Sequence, residues 1–299
     1  MRWFRRRPKQ TATDVAPAEQ RRALFGRRYV ANAPYLLPSD DIEINRLDFQ
    51  HYMLRYAIKG NFLAPIGRPT SILDVGCGTG RWAMDMAQQF PQAKVVGVDL
   101  VPPQSESAAE PSVEMRPANY SFTQANVLEG LPFADATYDF VHQRLLYLAV
   151  PTAQWPGVIA ELVRVTRPGG WVEVVEGSAV PPGSGPAIAQ WGQWMAAASA
   201  ARGIDFALGS QVGAALQHAG LARVATREAR MQAGRQAGRL GTMLEANLMG
   251  LLGAVKPQMV GAGIATPEQY DAVVAGIRTD IANGQCFWVA HLAYGQRPG

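Results

Sequence analysis

The chain has 299 residues, 48% hydrophobic and 17% charged, enough to bury one generous α/β domain, with or without a subdomain, and too apolar for a disordered chain. Its two cysteines, Cys77 and Cys286, exclude a disulfide framework and match no metal-ligand spacing; with no apolar run of the roughly 18 residues a membrane span needs and no signal-peptide core at the start, a soluble protein of the reducing cytoplasm is expected. The net charge of +4 resides in residues 1–28, which hold nine Lys or Arg against Asp14 and Glu19 and leave the remainder at about −3; a nucleic-acid enzyme would carry its positive charge around the site instead.

Residues 1–28 read as a basic, solvated arm, where Trp3 and Phe4 beside Arg2, Arg5, Arg6 and Arg7 also suit weak contact with an anionic membrane surface. Residues 29–66 read as a helical cap. The spacing predicts a helix over 40–58, with Asp40 and Glu43 at capping-box distance and Gly60 just past its end. Ile44, Leu47, His51, Leu54 and Ile58 form one stripe on it, and His51, the one polar member, must face protein or a pocket. Strand 71–75, helix 81–90 and strand 94–99 follow, then a loop over 101–115 and a short strand over 120–125.

Strand 138–142 precedes a helix lined by Trp155, Val158, Ile159, Leu162 and Val163, with Pro156 in its first turn. Arg167-Pro168-Gly169-Gly170 reads as a turn before strand 171–176. Strands alternating with helices imply a doubly wound, parallel α/β sheet. A helix over 209–219 and strands over 221–226 and 286–294 continue it. Between them, 239–260 and 267–281 look helical, and this insertion over 239–281 is too long for a plain loop and reads as a lid subdomain. Its methionines, Met243, Met249 and Met259, suit core as well as substrate contact.

The most informative stretch is Ile72-Leu73-Asp74-Val75-Gly76-Cys77-Gly78-Thr79-Gly80, an apolar strand running into a glycine loop. Such a loop lets backbone approach a nucleotide-like ligand where a Cβ would collide. The spacing is G-x-G-x-G, and Arg81 stands where the dinucleotide fingerprint needs its third glycine, which favours S-adenosylmethionine over NAD. Lys94-Val95-Val96-Gly97-Val98-Asp99-Leu100 adds a second strand that ends in a carboxylate. Ligands in such sheets lie at the carboxyl ends of the strands, where Asp74, Asp99, Asn126 and Gln143 fall.

These segments, with Asn45-Arg46-Leu47-Asp48-Phe49-Gln50-His51, Pro117-Ala118-Asn119-Tyr120-Ser121-Phe122, Tyr138-Asp139-Phe140-Val141-His142-Gln143-Arg144 and Pro168-Gly169-Gly170-Trp171-Val172-Glu173, resemble class I S-adenosylmethionine-dependent methyltransferases. The resemblance is to a branch with fungal velvet-complex regulators and bacterial small-molecule enzymes. It implies a Rossmann-like domain over 67–295, with a seven-stranded sheet, mostly parallel, whose last strand is antiparallel. It also implies that the backbone around Gly76, Cys77, Gly78 and Gly80 holds the aminoacyl part of the cofactor. Asp99, with Leu100 beside it, would accept the ribose hydroxyls, Asn126 would stand near the adenine amino group where the family usually has an acid, and Val127 would offer its amide to the ring.

Methyl transfer from a sulfonium is an in-line displacement that asks the enzyme for alignment and, where the nucleophile carries a proton, for a base; it needs no metal. His142 and Arg144 follow the fourth core strand toward the substrate side, and His51 and Tyr147 are placed to reach the same space. His142 is either a base or a satisfied structural histidine, and Arg144 either orients a substrate anion or binds an internal acid. The expected partner is a small, largely apolar molecule, with no nucleic acid. A protein-modifying or regulatory methyltransferase and a non-catalytic S-adenosylmethionine-binding module are the alternatives.

Overall fold

The computed structural model describes residues 21–24, 27–30, 37–103 and 116–299. The central strands are β3 (Ser71–Val75), β4 (Lys94–Asp99), β5 (Tyr120–Gln124), β6 (Tyr138–Arg144), β7 (Thr166–Gly177), β8 (Ala222–Gln232) and β9 (Phe287–Gln296), and β1 (Arg21–Leu24) and β2 (Arg27–Val30) precede them as a separate pair. The seven form one sheet in the order β5-β4-β3-β6-β7-β9-β8. The first five are parallel, whereas β9 runs antiparallel to both β7 and β8. This is the mostly parallel, doubly wound sheet with an antiparallel last strand that the sequence implies. Every residue of β3 is buried, because a strand covered on both faces needs the continuous apolar run that Ile72, Leu73 and Val75 supply. Among the described residues no helix is long and apolar enough to cross a membrane.

Helix α1 (Asp41–Ile58) starts where the spacing predicts, and Asp40 accepts the Glu43 N–H as its N-cap. The reciprocal half of the capping box does not form, since Glu43 turns its carboxylate to Arg46 instead. At the other end Lys59, not Gly60, takes the left-handed conformation, with φ of 61°. Helices α2 (Arg81–Gln89) and α3 (Trp155–Val165) lie as expected. Helix α4 (Pro186–Ala200), rich in alanine, escaped the periodicity, whereas α5 (Val212–His218) was anticipated.

Two local readings are corrected. Residues 21–24, 27 and 28 are not part of a frayed arm, because β1 and β2 pair antiparallel, Arg27 makes a two-bond ion pair with Asp40 and the Tyr29 hydroxyl donates to Ala254 O at 3.0 Å. The membrane-contact reading at Trp3 to Arg7 lies outside the described residues. Arg167 to Gly170 is not a turn between elements but a bulge within β7: the register moves from Tyr138↔Thr166 to Phe140↔Trp171, and the extra residues loop out.

Helices α6 (Gly238–Gly261) and α7 (Pro267–Ala282) occupy the insertion. They do not form a separately packed unit. Leu244, Leu252, Val255, Met259, Tyr270 and Ile277 join the same apolar core as β7, α3 and α4. Asp280 accepts the Ile188 N–H, and the Tyr270 hydroxyl donates to Leu252 O. The insertion is therefore a roof built into the core, in place of the detachable lid that its length alone predicts.

Candidate active site

A cavity of about 430 Å³ opens at the carboxyl ends of the parallel strands, within the roughly 300–1,000 Å³ of small-molecule sites. One end is the glycine loop. Gly76 and Gly78 have φ of 69° and 54°, a region that L side chains rarely adopt. A Cβ at Gly78 would meet nothing within 4 Å, so the backbone there is bare toward the cavity, whereas one at Gly76 would strike the Leu146 side chain at 2.5 Å. Gly80, also left-handed, is the N-cap of α2 and packs on the Tyr120 hydroxyl; it does not line the cavity.

Backbone bonds fix this loop. Gly76 N and Cys77 N donate to Val98 O at 2.8 and 3.1 Å. The Asp99 carboxylate accepts Gly78 N at 2.8 Å on one oxygen and Val101 N at 3.2 Å on the other, with Leu100 N a third donor, so lone-pair capacity remains for a ligand. Burial raises the Asp99 pKa, against the pull of those N–H groups. From α1, Asp48 latches the loop by accepting from the Thr79 hydroxyl and from Arg81. Cys77 lines the cavity, yet burial and then the Asp99 charge hold its thiol protonated. Leu100, Asn126 and Val127 continue the wall, with Asn126 Oδ1 capping a short 3-10 turn by accepting Leu128 N at 3.1 Å.

His51 and Arg144 meet in the cavity wall beside the start of the glycine loop, where Val75 pairs with Gln143 across β3 and β6. Arg144 Nη2 donates to His51 Nδ1 at 3.2 Å, and His51 Nε2 lies 3.0 Å from Asp85 Oδ2. A guanidinium has no lone pair to offer, so Nδ1 is the acceptor and Nε2 carries the proton. Burial depresses the His51 pKa, with Asp85 opposing. Both ring nitrogens are engaged, and His51 is not free to take a substrate proton. Tyr147 lines the cavity with its ring stacked on Phe206 at 5.9 Å, and burial raises its phenol pKa well above the ordinary value.

His142 and Gln143 are corrected. His142, expected at the mouth of the crevice, is 1% exposed and outside the cavity lining; its ring stacks on Trp82 at 3.8 Å and its Nδ1 lies 2.9 Å from Asp74 Oδ1. It is an enclosed structural histidine, held through Nδ1 alone, since Nε2 has no hydrogen-bond partner among the described residues. Gln143 faces the other way along β6, fully buried, and donates to Glu176. Glu176 also accepts Leu146 N and Tyr147 N, which holds the segment after β6 in place. Asp74 keeps its expected position in the lining.

The far end is apolar, walled by Trp191, Phe206, Leu244, Leu248, Leu251 and Trp288, with Arg46 bound to Glu43 and to Asn247 of α6. Sequence reasoning missed Thr79, Ser178, Phe206 and Asn247. Thr79 stood inside the motif and Asn247 was the polar break in an apolar helix; Ser178 and Phe206 carried no local signal, because only the fold brings them here.

A methyltransferase-domain family model matches residues 72–170. Methyltransferase str3 of Strobilurus tenacellus is 38% identical over 146 residues, 48% of this chain and 49% of that protein. The secondary metabolism regulator laeA of Aspergillus flavus is 36% identical over 181 residues, 57% of this chain and 46% of that protein. The chain thus spans about half the length of the curated relatives it matches. Phosphoethanolamine N-methyltransferase 2 of Haemonchus contortus, solved with phosphomonomethylethanolamine and S-adenosylhomocysteine, superposes with a TM-score of 0.52 at 15% identity, over 84% of this chain and 58% of that one, a likeness of fold. With the bare glycine loop and the carboxylate of Asp99 lining one cavity, the residues present fit that cofactor. Residues 72–170 of the chain are thus a methyltransferase domain, of the class I, S-adenosylmethionine-dependent type.

Proposed function

We propose that this domain transfers a methyl group from S-adenosylmethionine to a small, largely apolar metabolite. The observation that carries the reading is the continuity of one cavity from the glycine loop and Asp99 to the apolar wall of Trp191, Phe206, Leu244 and Leu248. S-adenosylmethionine supplies, when bound, a methyl group activated by the sulfonium. In this reading the backbone of 76–79 borders its aminoacyl part, Asp99 accepts the ribose hydroxyls, and Asn126 and Val127 border the adenine. The apolar wall excludes water and orients the substrate, so the chain contributes alignment above all. Neither His51, held by Arg144 and Asp85, nor the enclosed His142 is placed to remove a substrate proton.

The likeness to a protein named as a regulator of secondary metabolism favours a second reading, in which the acceptor is a protein. Incubating the enzyme and methyl-labelled cofactor with extracts, then separating metabolites from protein, tests both. Label in the metabolite fraction is expected. Label confined to protein establishes the second reading, and no transfer by a protein that binds S-adenosylhomocysteine leaves a non-catalytic module.

Asp99→Ala is expected to weaken S-adenosylhomocysteine binding by about 1.5–3 kcal/mol, the scale of hydrogen bonds to a charged acceptor, or roughly tenfold to hundredfold in Kd. Calorimetry checks this. Unchanged affinity in a folded variant would remove Asp99 from the ribose site.

A further inference from the structure

Arg144 is a guanidinium at the cavity wall whose one hydrogen-bond partner among the described residues is the neutral imidazole of His51. Three carboxylates surround it, Asp74, Asp85 and Glu173, and none forms an ion pair with it among the described residues. Each has another partner, although Glu173 Oε1 has none among the described residues. Asp74 is bonded to His142, Asp85 to His51 and Arg55, and Glu173 spends one oxygen on the N–H groups of Leu63 and Ala64. Desolvation depresses the Arg144 pKa, the sign of a cation held without a direct counter-ion. A guanidinium has five N–H donors in a planar fork that matches a carboxylate. The single bond from Nη2 to His51 leaves the rest of the fork for an anion and fixes its orientation.

Register decides which anion. Val75 pairs with Gln143 across β3 and β6, so Arg144 stands level with Gly76, at the start of the bare loop. The apolar wall of the substrate end lies elsewhere, and its own cation, Arg46, already binds Glu43. The geometry points to Arg144 as the anchor for a carboxylate, that of the methionyl part of the cofactor, tethered for this task by His51 and Asp85. This rests on the cofactor reading above. It changes the roles of two residues: Arg144 positions the donor and not the acceptor, and His51 orients Arg144 instead of acting as a base.

The test compares S-adenosylhomocysteine with its decarboxylated analogue, 5′-(3-aminopropylthio)-5′-deoxyadenosine, by calorimetry. The wild-type protein is expected to prefer the carboxylate-bearing ligand by about tenfold to hundredfold, the scale of charge-assisted hydrogen bonds. Arg144→Met should bind both alike, at the level of the analogue, and Arg144→Lys should fall between, keeping the charge without the fork. Equal binding of the two ligands by wild type overturns the proposal even if Arg144→Met fails to fold. A preference that survives in Arg144→Met overturns it too and returns Arg144 to the substrate. Loss of both ligands by equal factors in a folded variant would make the guanidinium a support of the nucleoside pocket, which also overturns it. A wild-type protein that binds neither ligand sinks the cofactor reading itself, an outcome distinct from all of these.

Discussion

Excising residues 239–281 and bridging the ends is expected to unfold the protein. The segment places Leu244, Leu252, Val255, Met259, Tyr270, Ile277 and Ile281 in the main core. At about 1.5–3 kcal/mol for each fully buried apolar side chain, their loss is on the order of 10–20 kcal/mol, against a net stability of roughly 5–15 kcal/mol for a whole domain. Polar anchors would go with them. Tyr29 would lose its acceptor at Ala254 O, and the Ile188 N–H at the start of α4 would lose Asp280. Circular dichroism and S-adenosylhomocysteine titration of the truncated protein check this: loss of helix signal together with loss of binding is expected. A folded, binding-competent remainder would mean that α6 and α7 are the separable lid their length implies.

Stability is expected to fall as pH rises between about pH 7 and 8, and Glu176 is the cause. Burial pushes its carboxyl from 4.5 to about 8, against the donors Gln143, Leu146 N and Tyr147 N. Between those values the native state holds a proton that the unfolded chain has released. Each unit of rising pH in that interval therefore removes about 1.4 kcal/mol, and the full effect is on the order of 5 kcal/mol, fully present below the unfolded value and lost through the folded one. Glu173, pushed to about 7, adds a smaller slope at the lower edge of this range. His51 and His142, whose pKa values burial lowers, act below it and with the opposite sign. The protonated acid also has a place for its hydrogen, since Gln143 Oε1 has no partner among the described residues and a flipped amide would accept it. Urea unfolding at the two pH values should show the fall in wild type and a flatter response in Glu176→Gln. Equal slopes would mean that Glu176 is ionised in the native state.

The parts of the fold that were legible in the sequence are those that local rules dictate. β3 and the glycine loop announced themselves because a strand buried on both faces must be uniformly apolar, and because backbone at positive φ needs glycine at Gly76 and Gly78. The helices over 239–281 were equally plain, yet nothing local reveals whether an apolar helix roofs a cavity, fills a core or does both, and α6 does both. His51 was placed correctly in a buried stripe, but its pairing with Arg144 depends on a strand 93 residues away. His142 failed for a related reason. Alternation along β6 puts it on the same face as Arg144, and only the ring of Trp82 from α2 decides that one side chain is covered and the other reaches the cavity.

Titrating the protein with S-adenosylhomocysteine and with NAD, each followed by calorimetry, bears on all of this at once. The G-x-G-x-G loop, with its bare backbone at Gly78 and the Asp99 carboxylate beside it, requires saturable binding of S-adenosylhomocysteine at one site per chain and no heat from NAD. Saturable NAD binding by a folded protein that ignores S-adenosylhomocysteine would contradict it.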